Sequence, residues 1–98
     1  MLMKIHGKGR TSVMAVCDEN LLGRILKKDE IQFRVSEDFF GGEVTPGETI
    51  LRTVAFVTSI NAVGEDSVSL FIGASLADED SVIFIEGIPH IQIYIIHS

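Results

Sequence analysis

The chain has few residues of the kinds that form covalent cross-links or metal centres. Its 98 residues include one cysteine, no tryptophan, one tyrosine and two prolines. The single cysteine, Cys17, excludes an internal disulfide and is typical of a protein from a reducing cytoplasm. The histidines His6, His90 and His97 do not stand at ligand-like spacings to one another or to Cys17. We therefore expect no metal site and no cofactor.

Long apolar segments and leader features are also missing. No apolar run approaches the roughly 18 residues needed to cross a bilayer. The first seven residues, MLMKIHG, have neither the apolar core nor the small-residue cleavage site of a signal peptide. These absences predict a cytoplasmic protein that does not contact a membrane.

Basic side chains are absent from the second half of the chain. Every lysine and arginine lies at or before Arg52, and the later residues carry acids and two histidines. The net charge is -6, yet residues 1–34 hold seven bases and four acids, and seven minus four is a local +3. This asymmetry predicts a basic surface on an acidic protein.

What the chain does contain is enough apolar sequence for one folded core. Hydrophobic residues make up 46% and the mean hydropathy is +0.33, which argues against disorder. A chain of this length buries roughly 65% of the surface of its unfolded form. Because no linker or repeat interrupts the pattern, we expect a single domain over residues 1–98.

The apolar pattern predicts an α+β domain with the element order β-β-β-α-β-α-β-β. Two strand-like runs on either side of Gly7-Lys8-Gly9-Arg10 are typical of a β-hairpin. Two further strands flank Glu86-Gly87. We expect one mixed or antiparallel sheet with two helices packed on it. The predicted strands cover residues 2–6, 11–17, 31–35, 59–63, 81–85 and 88–96.

Local signals mark where the two predicted helices begin. Thr45 is predicted to cap the first helix, with Pro46 as its first residue and Glu48 completing a capping box. The second helix opens at Gly64, where two acids suit the positive end of the helix dipole. Residues 27–30 and 36–44 are predicted to be loops.

Four short segments, taken together, resemble an archaeal family numbered four hundred twenty-four in the series of domains of unknown function. They are CDENLLG at 17–23, FFGGE at 39–43, NAVGE at 61–65 and GIPHIQ at 87–92. The resemblance implies a stand-alone archaeal cytoplasmic domain that carries an RNA-binding label, acts near translation or RNA metabolism, and has no established reaction. Three positions depart from the family pattern: Phe40 replaces tyrosine, Ser75 replaces a helix-ending glycine, and Ile91 replaces alanine.

The basic hairpin turn is the first candidate for an RNA-binding surface. Its glycines leave main-chain N–H groups accessible to phosphate, while lysine and arginine supply charge and release counterions on binding. An exposed aromatic ring would add stacking on a base at roughly 1–3 kcal/mol. The candidate RNA-binding residues are Lys4, Lys8, Arg10, Lys27, Lys28, Phe40 and His90. The alternative is a solvated turn whose charges pair with the acidic second half.

Two other classes of function remain open from the sequence. A small-ligand protein or an enzyme would use a pocket formed by Cys17, Asp18, Asn61 and Glu65, with His90 lowering the pKa of the thiol. A protein–protein adaptor would use the basic and acidic poles. We assign no catalytic residue.

The last strand-like segment, residues 91–96, has high β-propensity and no charge. An exposed strand edge of this kind invites pairing with another chain. The segment is therefore predicted either to be central in the sheet or to form the seam of a homodimer.

Overall fold

A computed structural model describes residues 1–97. The α+β class is confirmed, with eight strands, three α-helices and several short 3-10 turns among those residues. The strands are β1 (Leu2–His6), β2 (Val13–Cys17), β3 (Ile25–Lys28), β4 (Ile31–Arg34), β5 (Glu43–Val44), β6 (Ser59–Val63), β7 (Ile83–Ile85) and β8 (Ile88–Tyr94). The helices are α1 (Glu37–Phe40), α2 (Gly47–Thr53) and α3 (Glu65–Gly73).

The main sheet is mixed and contains six strands. Its order is β5-β1-β2-β6-β8-β7, and β2 pairs with β6 in parallel while the other neighbours are antiparallel. A parallel pair needs a crossover, which the segment from β3 to α2 supplies. Strands β3 and β4 form a separate two-stranded hairpin that packs on the sheet.

Side-chain alternation along the central strands gives the main sheet two different faces. On one face, here called the helical face, Met14, Ile60 and Ile91 pack against Ile50 of α2 and Phe71 of α3. On the other, here called the hairpin face, a second core includes the buried side chains of Ala15, Cys17, Val63, Leu26, Val35 and Phe40. Each large side chain that is fully buried stabilises the fold by roughly 1.5–3 kcal/mol. The fold therefore has two cores with one sheet between them.

The start of α2 differs from its prediction by one residue. Pro46 is extended at ψ 147° and precedes the helix, which begins at Gly47. Thr45 does not cap the helix, because its hydroxyl donates a hydrogen bond to the carbonyl of Glu43 at 2.8 Å. The helix itself lies where the sequence predicts it.

Two segments predicted as loops contain regular structure. Lys27 and Lys28 belong to β3, and α1 and β5 lie within residues 36–44. Ser36 caps α1, since its hydroxyl accepts a hydrogen bond from the N–H of Phe39 at 3.2 Å. One turn of helix and two residues of strand are too short to form alone, so these elements depend on packing against the main sheet.

The C-terminal hairpin matches its prediction. Glu86 and Gly87 have φ of 52° and 75°, as a two-residue turn with positive φ at both positions requires. Strand β8 lies between β6 and β7 only over Ile88–His90; from Ile91 to Tyr94 it pairs with β6 alone, so this part of the predicted segment is at an edge of the sheet. Of the helices within residues 1–97, none combines the length and the apolar character needed to cross a membrane.

Candidate functional site

The hairpin face of the main sheet is covered at one end and open at the other. The strand registers align its side chains in three rows that cross β1, β2, β6 and β8. The covered row is Leu2, Cys17, Val63 and His90; the amide row is Lys4, Ala15, Asn61 and Gln92; the open row is His6, Val13, Ser59 and Tyr94. The covered row is buried, and in the other two rows Ala15 alone is buried, so these two rows form the open half of this face.

A cavity of about 200 Å³ lies over the open and amide rows. Its lining includes Val13, Ser59, Asn61, Gln92 and Tyr94 from the sheet, together with the ring of Phe39. Tyr94 is 79% exposed, which is unusual for the single tyrosine of a small domain. An apolar floor with amide groups and an aromatic ring is suited to a planar ligand with hydrogen-bonding edges.

A line of aromatic rings separates the covered and open halves. The His6 and Phe39 rings are stacked at 4.7 Å with 6° between their planes, and Phe39 meets Phe40 edge-on at 4.9 Å. Phe33 continues the line to Phe40 at 6.2 Å and to His90 at 4.7 Å. The Nε2 atom of His6 is also 2.8 Å from the carbonyl oxygen of Phe39. These contacts hold Phe39 in place as one wall of the cavity.

His90 orients the side chain of Asn61. Its Nε2 lies 2.8 Å from Oδ1 of Asn61, and because an amide oxygen can only accept, Nε2 carries the proton. Burial lowers the pKa of His90 below its usual 6.5, since desolvation disfavours the imidazolium. The Nδ2 group of Asn61 is then available to donate a hydrogen bond to a ligand in the cavity that Asn61 lines.

Asp18 has a structural role instead of the predicted place in a ligand pocket. Its carboxylate accepts hydrogen bonds from the N–H groups of Asp66 and Ser67 at 3.1 and 2.9 Å, and from the Ser67 hydroxyl at 2.7 Å. It therefore caps α3 from a neighbouring strand end. The carboxylate of Asp18 therefore occupies the start of this helix.

The arrangement of Cys17 contradicts a role as nucleophile. Its side chain is 0% exposed, and its Sγ lies 4.0 Å from the carbonyl oxygen of Phe40. Burial, with the Asp18 carboxylate as a second cause, raises the pKa of the thiol to about 11. Strand β6 stands between Cys17 and His90, so their Cα atoms are about 9–10 Å apart at ordinary strand spacing. Within residues 1–97 no hydrogen bond joins the two side chains.

The predicted pocket of four residues is likewise not assembled. Asp18 and Glu65 line a cavity of about 310 Å³ at the end of the sheet that carries the start of α3. Asn61 lines the separate cavity over the open half of the hairpin face, and Cys17 is enclosed in the second core. A small-ligand or enzymatic site built from these residues is therefore contradicted by their positions.

The two predicted stacking residues are not exposed. Phe40, the last residue of α1, is 2% exposed because it packs into the second core, and His90 is 9% exposed and lies against Phe33 of β4. In this conformation neither ring presents an exposed face for stacking on a base. Gly42, which follows Phe40 by two residues, packs against the main chain, because a Cβ there would collide with the carbonyl of Met3.

The basic residues form two groups instead of one patch. Lys8 and Arg10 lie in the turn between β1 and β2, at the open end of the hairpin face, and the Lys4 Nζ donates to the Asp38 carbonyl at 2.7 Å. Lys27 and Lys28 lie on β3, whose contacts with the main sheet include β7 at its opposite edge. In the described part of the chain no lysine or arginine is within ion-pair distance of a carboxylate. The alternative of a turn whose charges pair with the acidic second half is therefore not seen as ion pairs in this part of the chain.

Three residues of the open site escaped the sequence analysis, namely His6 as a stacking partner, Gln92 and Tyr94. A signal for the last two was present. Gln92 and Tyr94 alternate with the buried residues Ile91 and Ile93, so period-two alternation puts them on one side of β8. Their alignment with Asn61 and Ser59 depends on the strand register, which the sequence does not specify.

The comparisons with known proteins give one family and one similar solved structure. The model of the family described as "Protein of unknown function (DUF424)" matches residues 5–96. An uncharacterized conserved protein from Methanopyrus kandleri, known from its crystal structure, is similar at 38% identity with a TM-score of 0.84. The similarity covers 99% of this chain and 92% of that one. No curated protein matches. The chain belongs to the DUF424 family of proteins of unknown function.

Proposed function

We propose that this member of the family is an archaeal-type cytoplasmic protein that binds single-stranded RNA on the open half of the hairpin face. The observation that carries the proposal is the exposed ring of Tyr94 beside the cavity over the open and amide rows. Proteins that bind single strands combine such aromatic platforms with basic groups that follow the backbone. The single buried Cys17 is compatible with a reducing compartment.

Each part of the open surface has a role in this proposal. A base stacks on Tyr94, and the amide groups of Asn61 and Gln92 hydrogen-bond to its edge. Adjacent cross-strand side chains such as these two have Cβ atoms about 4.5–5.5 Å apart, which suits one base edge. Lys8 and Arg10, at the open end of the same face, contact the phosphates.

Several of the acids behind the net charge of -6 lie away from the open half, whereas Glu37 and Asp38 precede Phe39 in α1. Glu65 and Asp66 stand at the start of α3, which follows the end of β6 remote from the open row. Asp78, Glu79 and Asp80 precede β7 at the edge of the sheet. Charges separated by more than a Debye length of about 8 Å are largely screened at physiological salt.

Fluorescence anisotropy with labelled single-stranded RNA oligonucleotides tests the proposal. Replacing Tyr94 with alanine removes a stack of roughly 1–3 kcal/mol, so we expect binding to weaken about 5- to 140-fold. Tyr94→Phe keeps the ring and should retain the affinity. Phe84→Ala is the matched control, because Phe84 is 56% exposed but pairs with Pro89 on the helical face of the sheet.

The salt dependence of binding tests the electrostatic part. Each phosphate contact to a single strand contributes a slope of about -0.7 in log affinity against log salt. Replacing Lys8 and Arg10 together with glutamate should abolish binding or reduce the slope by about 1.4. Absence of binding to any RNA at low salt, or equal effects of Tyr94→Ala and Phe84→Ala, would contradict the proposal.

A further inference from the structure

Strand β8 has an outer edge that is only partly paired. Its pairing with β7 covers Ile88–His90 and ends there, whereas its pairing with β6 extends to Tyr94. The side of β8 that faces away from β6 is therefore free beyond His90. No device that protects edges, such as a charged side chain, a proline or a bulge, is present from Ile91 to Tyr94.

The alternation of main-chain hydrogen bonds along β8 identifies its free N–H and C=O groups. The N–H of Ile95 donates to the carbonyl of Thr58, and the carbonyl of Pro89 accepts from the N–H of Gly64. The main-chain N–H and C=O groups of the odd-numbered residues of β8 therefore point toward β6. The main-chain groups of the even-numbered residues point away from β6, and those of Ile88 and His90 pair with β7. No main-chain hydrogen bond from a turn or loop within residues 1–97 reaches Gln92 or Tyr94. Their N–H and C=O groups are therefore free.

We infer that these free groups pair with the same groups of a second copy of this chain, in an antiparallel arrangement about a two-fold axis at Ile93. Gln92 of one copy then lies opposite Tyr94 of the other. Each such pair exchanges two N–H to C=O hydrogen bonds, and the two-fold axis generates the second pair. The free N–H and C=O groups of Gln92 and Tyr94 in one copy thus match those of Tyr94 and Gln92 in the other. No charged side chain on this edge would repel the second copy.

The pairing also joins the two open faces. A two-fold axis perpendicular to the sheet leaves both hairpin faces on the same side, because directly opposed residues point to the same face. The ring of Tyr94 in one copy lies beside the amide of Gln92 in the other, so the open row of one molecule continues into the amide row of its partner. Because the free edge is short, we expect a reversible dimer whose population rises with concentration.

Register-specific cross-linking tests this arrangement. The Cα atoms of a hydrogen-bonded antiparallel pair are about 5.5 Å apart, within the range of a disulfide. An equimolar mixture of Gln92→Cys and Tyr94→Cys should form the mixed disulfide in a glutathione buffer. Each variant alone should not, because identical positions are then about 8 Å or more apart, beyond disulfide reach. The native Cys17 is buried and does not compete.

Sedimentation of two variants at one position separates main-chain pairing from side-chain effects. Tyr94→Pro removes the outward N–H, which takes no part in pairing with β6, and should abolish the dimer. Tyr94→Ala keeps that N–H and should remain dimeric. Wild-type protein that stays monomeric at every concentration, equal dimerisation of the two variants, or cross-linking as efficient in the single-variant samples as in the mixture would overturn the proposal. Tyr94→Ala loses RNA binding but keeps the dimer, so this proposal and the proposed function fail separately.

Discussion

Replacing Asp18 with alanine should destabilise the protein by about 2–4 kcal/mol. Three donors point at the Asp18 carboxylate, and two of them belong to Ser67, which is 0% exposed. Hydrogen bonds to a charged group contribute about 1.5–3 kcal/mol each, and loss of a helix cap costs about 0.5–2 kcal/mol. The donor of Asp66 is exposed and can bind water instead, so the main loss comes from Ser67. For a domain of this size, the expected fall in Tm is about 10–25 °C.

Urea unfolding followed by circular dichroism measures this loss. Asp18→Asn keeps one acceptor oxygen and should lose about half as much stability. Gly64→Ala is an independent test, because Gly64 has φ 112° and an added Cβ would collide with the Asp18 carboxyl group. Glu30→Ala, in the exposed β3–β4 turn, is the control and should stay within about 0.5 kcal/mol of the wild type. If Asp18→Ala is as stable as this control, the carboxylate does not hold α3 to the end of β2.

Three further changes test the burial and backbone of single residues. The pKa of Cys17 is about 11 in the folded protein, whereas its ordinary value is 9.0. The unfolded chain therefore loses the thiol proton first as the pH rises, and the free energy of unfolding should fall by about 2–3 kcal/mol from pH 9 to 11. In urea unfolding, Cys17→Ala should lack this fall. Burial lowers the pKa of His90 from 6.5, so the unfolded chain binds a proton first as the pH decreases. The free energy of unfolding should therefore fall below pH 6.5. An equal fall in His90→Gln would show that His90 is not its cause. Ser75 has φ 61° just after α3, so Ser75→Gly should raise the free energy of unfolding by about 1 kcal/mol, and an unchanged urea midpoint would show that this backbone is not strained.

The elements that the sequence predicts are those with a local signal strong enough to override tertiary context. The alternation in β8, the two-residue turn at Glu86-Gly87 and the acids at the start of α3 each have a physical cause within a few residues. Strand β3 has no such signal, because Leu26 is its only buried residue and the other three face solvent. Its existence depends on pairing with β4 and on the insertion of Leu26 into the second core.

The site was harder to predict because it is the part of the sheet that other elements leave uncovered. Period-two alternation puts Asn61 on the hairpin side of β6, but no local pattern says how far the β3–β4 hairpin and α1 extend over that face. The boundary is set by Phe40, which fills the space above the small residues Ala15 and Cys17. Because Phe40 is buried in this packing, the aromatic residues that line the cavity are Phe39 and the exposed Tyr94.

The division of charge along the sequence has a simpler meaning in the folded protein. Glu65 and Asp66 lie in the first turn of α3, where the helix dipole favours acids whatever the function. Among the bases, Lys8 and Arg10 lie in the β1–β2 turn, whereas Lys27 and Lys28 lie on β3. Net charge therefore says little about any one surface, and the proposed contacts of Lys8 and Arg10 with RNA depend on the local position of these two residues. This is why the salt slope of the Lys8 and Arg10 variant is more informative about RNA binding than the isoelectric point of the whole chain.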